Sequence, residues 1–300
     1  MTSVESTDSA QGVILARNRR QAMDWSLVLI SQGIESVVEP SEDAWMLQVQ
    51  PPDHARALAI LRQYQLENRG WRWHASTPWP PVTFHFGAVA WSLLLALVHF
   101  LNAISGGRWQ GVGVMDPTAV RNGAWWRLFT ATLLHFDLAH LMANLAIGLP
   151  VMGLAMSRYG PACAWLAAYL AGAAGNVAGL LLHTQPRPAL GASGMVMGGL
   201  GLLTIQSLSL RFQDAASRKY IVGGILAGVM LFTLLGLDPT SDVLAHAGGF
   251  VSGLILGAAL TFVPRNQLSG RPVNTICAAI VAGLITLTWT MAFRQSPPGP

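Results

Sequence analysis

Charge is scarce in this chain. Of its 300 residues only 11% are Asp, Glu, Lys or Arg, while 52% are hydrophobic; a soluble domain carries about twice that charge. This composition excludes a water-soluble globule as the main body and defines a membrane protein. Cysteine is scarcer still: Cys163 and Cys277 are the two, each inside an apolar run. A disulfide framework is thereby excluded, and both are read as buried thiols. The histidines have no accompanying set of cysteines or carboxylates, so neither a metal site nor a cofactor is expected. The chain does not begin with a basic-then-apolar stretch and a cleavage site, so no signal peptide is expected. Basic residues are not interleaved with aromatics, which argues against nucleic acid as a partner.

What is present divides near residue 80. The first 80 residues hold 7 Lys and Arg against 9 Asp and Glu, and the remainder 11 against 5. The basic excess behind the net charge of +4 therefore belongs to the apolar part, where it reads as an orientation signal. Upstream, "GVILA", "IESVVE" and "AWMLQVQ" read as strands; residues 17–32 and "DHARALAILRQYQLEN" read as helices. A small α+β domain, β-α-β-β-α in order, is expected over residues 1–70. The Trp/Pro stretch over 71–83 is expected to rest at a membrane interface.

Downstream, seven apolar segments are long enough to cross a bilayer of roughly 30 Å as helices of about 20 residues. They cover residues 84–104, 134–156, 161–182, 193–211, 220–237, 241–263 and 273–293. With a cytoplasmic amino terminus, inner connections and flanks carry eight Arg and Lys and outer ones five, which favours that orientation. The connection of about thirty residues between the first two spans is too apolar to be disordered, and loops that long are usually functional.

Polar side chains inside spans are costly and mark function by default. His140 and Asn144 stand four apart on one face of the second span, Ser193 opens the fourth, and His246 lies just inside the sixth. These three spans enter the bilayer from the same side, so the four groups share one depth. Ala245, Gly249, Gly253 and Gly257 form a small-xxx-small ridge on the sixth span, and Gly194 and Gly198 repeat the spacing on the fourth. Contact between the two ridges would bring the Ser193 hydroxyl towards the His246 imidazole, the minimal activated nucleophile. Free N–H groups at the start of the fourth span, with His140 and Asn144, could receive an oxyanion. Taken alone, a serine at a helix start is also an ordinary N-cap. Asp242, one turn before His246, is read as a cap for the sixth span rather than as a triad carboxylate. His99 and His183 are read as bystanders or interfacial.

"WWRLFTATLLHFDLAHLMANL", "GASG" and "AHAGG", in that order and separation, resemble the rhomboid intramembrane serine proteases over residues 121–257. The amino-terminal domain is more loosely similar to the cytosolic domain of some bacterial members. The resemblance implies an all-α polytopic fold: a six-helix bundle over 84–263, plus one extra transmembrane helix within 264–300. It implies Ser193 as nucleophile and His246 as general base and acid, without a required Asp. His140, Asn144 and the Ser193 backbone N–H form the oxyanion hole by the same match. Gly191 and Gly194 allow the turn, Trp126 and Arg127 steady the long first loop, and His135 supports it. Ala245 and Gly249 bear the helix contact. Met197 stands where many members have an aromatic packed on the catalytic histidine, so a changed histidine environment is expected. Implied partners are transmembrane protein substrates and membrane lipid, with cleavage near the periplasmic side of a bacterial inner membrane. A non-catalytic binder of transmembrane helices would lack the serine or histidine, and both are present. A proton-coupled transporter would show inverted repeats and mid-bilayer charges, and the spans do not.

Overall fold

The structure, a computed structural model, describes residues 6–8, 12–41, 44–68, 83–206, 208, 217–237 and 242–295. The expected interfacial stretch therefore lies, apart from residue 83, outside the described residues. The chain falls into two compact units, Met1–Thr77 and Pro78–Pro300.

The first unit is a four-stranded antiparallel sheet with two helices. In chain order these are β1 (Ser6–Asp8), β2 (Val13–Ala16), α1 (Arg19–Ser31), β3 (Ser36–Pro40), β4 (Trp45–Val49) and α2 (His54–Glu67), with sheet order β1-β2-β4-β3. The strand β1 is an addition to the three expected, because "STD" carries no alternating apolar residues to signal it. Asn18 caps α1, accepting from Gln21 N–H at 2.9 Å. Ala22, Trp25 and Leu29 of α1 and Ala57 and Leu61 of α2 are buried with Ile14, Leu47 and Val49 of the sheet in one core.

Among the described residues, the regular elements of the second unit are helices. A first long helix, α3 (Gly87–Ile104), leads into a connection that holds three short ones: α4 (Arg108–Gly113), α5 (Pro117–Arg121) and α6 (Arg127–Thr130). Then follow α7 (Leu138–Tyr159), α8 (Pro161–Leu182), α9 (Ser193–Ile205), α10 (Ser217–Gly236), α11 (Val243–Leu260), α12 (Arg265–Leu268) and α13 (Arg271–Arg294). Five of them, α3, α7, α8, α11 and α13, are long and apolar enough to cross a membrane. The protein is an integral membrane protein.

Two boundaries differ from the sequence expectation by more than three residues. The helix α7 starts at Leu138 rather than near 134, because the Asp137 carboxylate caps it by accepting from His140 N–H at 2.7 Å. The helix α9 ends at Ile205 rather than near 211, so its 13 residues rise only about 20 Å. Hydropathy reports what tolerates lipid, not where backbone hydrogen bonding stops.

At the centre, α9 and α11 touch backbone to backbone. A Cβ on Gly249 would meet the Gly194 carbonyl oxygen, and one on Gly253 the Gly198 carbonyl oxygen. The two glycine ridges thus face each other as their spacing predicts. The third partner is α8: a Cβ on Gly172 would come within 3.1 Å of Met195 N, and one on Gly175 would meet the Ala245 carbonyl oxygen.

Candidate active site

One cavity of about 540 Å³ opens at the start of α9, and Ser193, His246, His140 and Asn144 all line it. Four polar side chains from three helices and 107 positions of sequence are therefore brought to one space. Met197, Leu235, Phe136, Arg187 and Asp242 complete much of its wall.

Ser193 is the first residue of α9 and follows a turn that the long connection clamps. Met115 and Ala189 exchange both backbone hydrogen bonds at 3.0 Å, like two residues of a minimal sheet. Gly191 N–H donates to the Ala131 carbonyl at 3.0 Å, and Ala192 N–H to His135 Nε2 at 3.4 Å. Gly191 has φ +133°, a backbone region that favours glycine, and a Cβ there would stand 2.8 Å from His140 Cε1, 3.0 Å from His140 Nε2 and 3.8 Å from Ser193 Oγ. The clamp therefore requires glycine at 191 and occupies the N–H groups of Gly191 and Ala192. Ser193 N–H takes no part in the clamp.

The imidazole of His246 is buried, at 5% exposure, and its Nδ1 lies 2.9 Å from the Gly236 carbonyl oxygen. A carbonyl only accepts, so Nδ1 carries the proton and Nε2 keeps its lone pair. Gly236 is the last residue of α10, where helix carbonyls lack an intrahelical partner. Met197 Sδ stands 3.4 Å from where a Cβ on Gly236 would be. The methionine thus packs beside the residue that holds the histidine. Ala245, next to His246, turns its carbonyl to Gly175, and Gly194 packs near Gly172 and Ala245.

His140 stacks on Phe136 at 5.8 Å and meets His135 edge-on at 5.2 Å. The Asn144 amide donates to the His140 carbonyl at 2.9 Å, one turn back, which uses one of its two hydrogens. His135 lies in the connection ahead of α7, outside the spanning helices, and burial pushes its pKa down to about 3. It stays neutral and so can accept from Ala192, as the clamp needs. Arg127 donates to the carbonyls of Val114 at 2.8 Å and Gly111 at 3.4 Å. Trp126 is buried beside it. Asp242 caps α11 through Ala245 N–H at 3.0 Å and also accepts a 2.9 Å contact from His183 Nε2. The cap expected of Asp242 is present, and His183 is engaged rather than idle.

Sequence reasoning missed Gly236, Ala131 and Met115, whose contributions are backbone groups that any residue type carries. His183 could have been found from its place at the end of α8, level with the start of α11.

These features define a polytopic helical membrane protein with a serine and a histidine sharing one cavity. The Rhomboid domain family matches residues 122–263, which hold all four lining groups. The chain belongs to the rhomboid family. It is 31% identical over 200 residues to "Rhomboid protease GluP" of Bacillus subtilis, covering 63% of this chain and 38% of that protein. It is 28% identical over 156 residues to "RHOMBOID-like protein 5" of Arabidopsis thaliana, covering 51% and 50%. An uncharacterized protein of Mycobacterium tuberculosis is 30% identical over 187 residues, covering 57% and 73%. The chain spans half or less of the length of the Bacillus and Arabidopsis relatives.

Proposed function

We propose that this protein is an intramembrane serine endopeptidase that cleaves transmembrane segments of other membrane proteins. The observation that carries this reading is Ser193 and His246 in one cavity, with His246 Nδ1 held by a carbonyl and Nε2 left as base.

Ser193 Oγ attacks the carbonyl carbon of the scissile bond while His246 Nε2 takes its proton. The carbonyl oxygen becomes an oxyanion, received by Ser193 N–H, the second amide hydrogen of Asn144 and the His140 ring. Collapse of the tetrahedral adduct breaks the C–N bond, and the leaving amine takes the proton from His246. The acyl-enzyme is then attacked by water, which gives its proton to His246; the second collapse returns that proton to Ser193 Oγ. The Gly236 carbonyl does the orienting that a carboxylate does in a triad, and Asp242 is committed to its cap and to His183. A helical substrate hides its carbonyl carbons, so segments weakened by Gly, Pro or Ser are the favoured substrates. A cytoplasmic amino terminus, as the Arg and Lys distribution suggests, puts the cavity on the periplasmic side of a bacterial inner membrane.

Ser193→Ala and His246→Ala are each expected to abolish cleavage of a single-span substrate in detergent or liposomes while circular dichroism stays that of the wild type. A fluorophosphonate probe should label the wild type and not Ser193→Ala. Robust cleavage by the serine variant would overturn the covalent route.

A further inference from the structure

The helix α13 lies outside the six helices of the catalytic unit, yet it reaches the connection that clamps Ser193. Trp289 and Phe293, one turn apart near its end, meet Trp109 of α4 at ring distances of 4.6 and 5.0 Å, and the Arg108 guanidinium lies 5.5 Å from the Phe293 ring. Trp289 is buried, with Thr288 and Ala292 on either side of it fully so. Its ring covers Gly113: a Cβ there would be 2.8 Å from Trp289 Cη2 and 3.0 Å from Cζ3. From its other side Gly113 is held by Thr130, whose hydroxyl donates to its carbonyl at 2.7 Å. Arg127 takes the Val114 carbonyl, and Met115 pairs with Ala189, four residues before the nucleophile. Residues 113–115 are thus pressed between α13 and α6 at one end and bonded to the catalytic turn at the other.

We propose that α13 is a strut of the active site and that Trp289 is a positioning residue: it fixes Gly113, and through the Met115–Ala189 pairing it sets where the Ser193 turn sits. Trp289 Nε1 is buried without a hydrogen-bond partner among the described residues, so shape rather than polarity does the work. A ring lacking that donor should therefore substitute for it.

The effect on catalysis rests on the serine-protease reading; the effect on the turn does not, and the test separates them. Hydrogen exchange followed by mass spectrometry on the full chain in micelles would report the peptide over 186–192, whose Ala189 and Gly191 amides are bonded to Met115 and Ala131. Trp289→Ala should speed exchange there, cut fluorophosphonate labelling and kcat by about 10- to 100-fold, and leave KM within about twofold, the mark of lost transition-state geometry. Trp289→Phe should restore all three. Leu287→Ala, at a residue 49% exposed on the outer face of α13, should change none of them. If Trp289→Ala does not fold, Phe293→Leu provides the same readouts in a milder form. Exchange over 186–192 that is unchanged in the Trp289 and Phe293 variants overturns the strut. A wild type that neither labels nor cleaves overturns the protease reading, and the exchange comparison still decides on the strut.

Discussion

Two neighbours of α11, α9 and α10, hold it in opposite ways. The contact with α9 is backbone on backbone, with Gly249 and Gly253 set against the carbonyls of Gly194 and Gly198. A main chain has no rotamers to change, so this seam fixes the separation of the helices that carry Ser193 and His246. The helix α10 exposes Val222, Leu226, Met230 and Leu234 and meets α11 through a side chain, Phe232 stacked on Phe250 at 4.7 Å, while its Gly228 lies under the Thr204 side chain of α9. Its backbone contributes the Gly236 carbonyl to His246 Nδ1. The backbone seam thus sets the spacing of the helices that carry Ser193 and His246, and the helix held through a side chain sets the tautomer of His246.

The comparison breaks most sharply at Gly249. Gly249→Val would put side-chain atoms onto the Gly194 carbonyl, and overpacking of this kind costs about 3 kcal/mol. The expected result is a lower melting temperature in detergent together with loss of fluorophosphonate labelling; wild-type values for both would mean that the seam spreads without consequence. Phe232→Leu, which keeps the apolar bulk and removes only the ring stack on Phe250, addresses the other side. Losing the stack should cost only about 1 kcal/mol of stability, yet kcat should fall about tenfold as Gly236 shifts from His246. If stability and kcat fall in the reverse proportion, α10 is a packing element and not a setter of the base. The smallest effect is expected at the start of α11. Asp242→Asn keeps an equally good cap and, because one oxygen accepts from both Ala245 and His183, removes only the charge from the contact with His183, so stability should change by less than about 1 kcal/mol. Its kcat should stay within about threefold, because the Gly236 carbonyl already orients His246; a hundredfold loss would make Asp242 part of a triad.

Much of this organisation was readable in advance. Apolar length marks a span whatever its neighbours, and α8 starts and ends where the hydropathy of residues 161–182 says it should. The ridges on α9 and α11 were visible because a close helix contact demands small residues at fixed spacing. The end of α9 and the strand β1 were not legible. One depends on where backbone hydrogen bonding stops, the other on pairing supplied by β2. Met197 was legible as a departure from the family pattern, but its contact beside Gly236 was not.

The sequence by itself determined that the chain lies in a membrane and where its long apolar helices run, and it picked out the serine, histidines and asparagine that line one cavity. These are properties of residue type and spacing, and both are written in order along the chain. Only the tertiary structure decided how those groups are held: the Gly236 carbonyl on His246, the Ala131 and Met115 backbone on the turn before Ser193, and Trp289 against Gly113. Backbone donors and acceptors are the same at every residue, so their partners have no signature until the chain has folded around them.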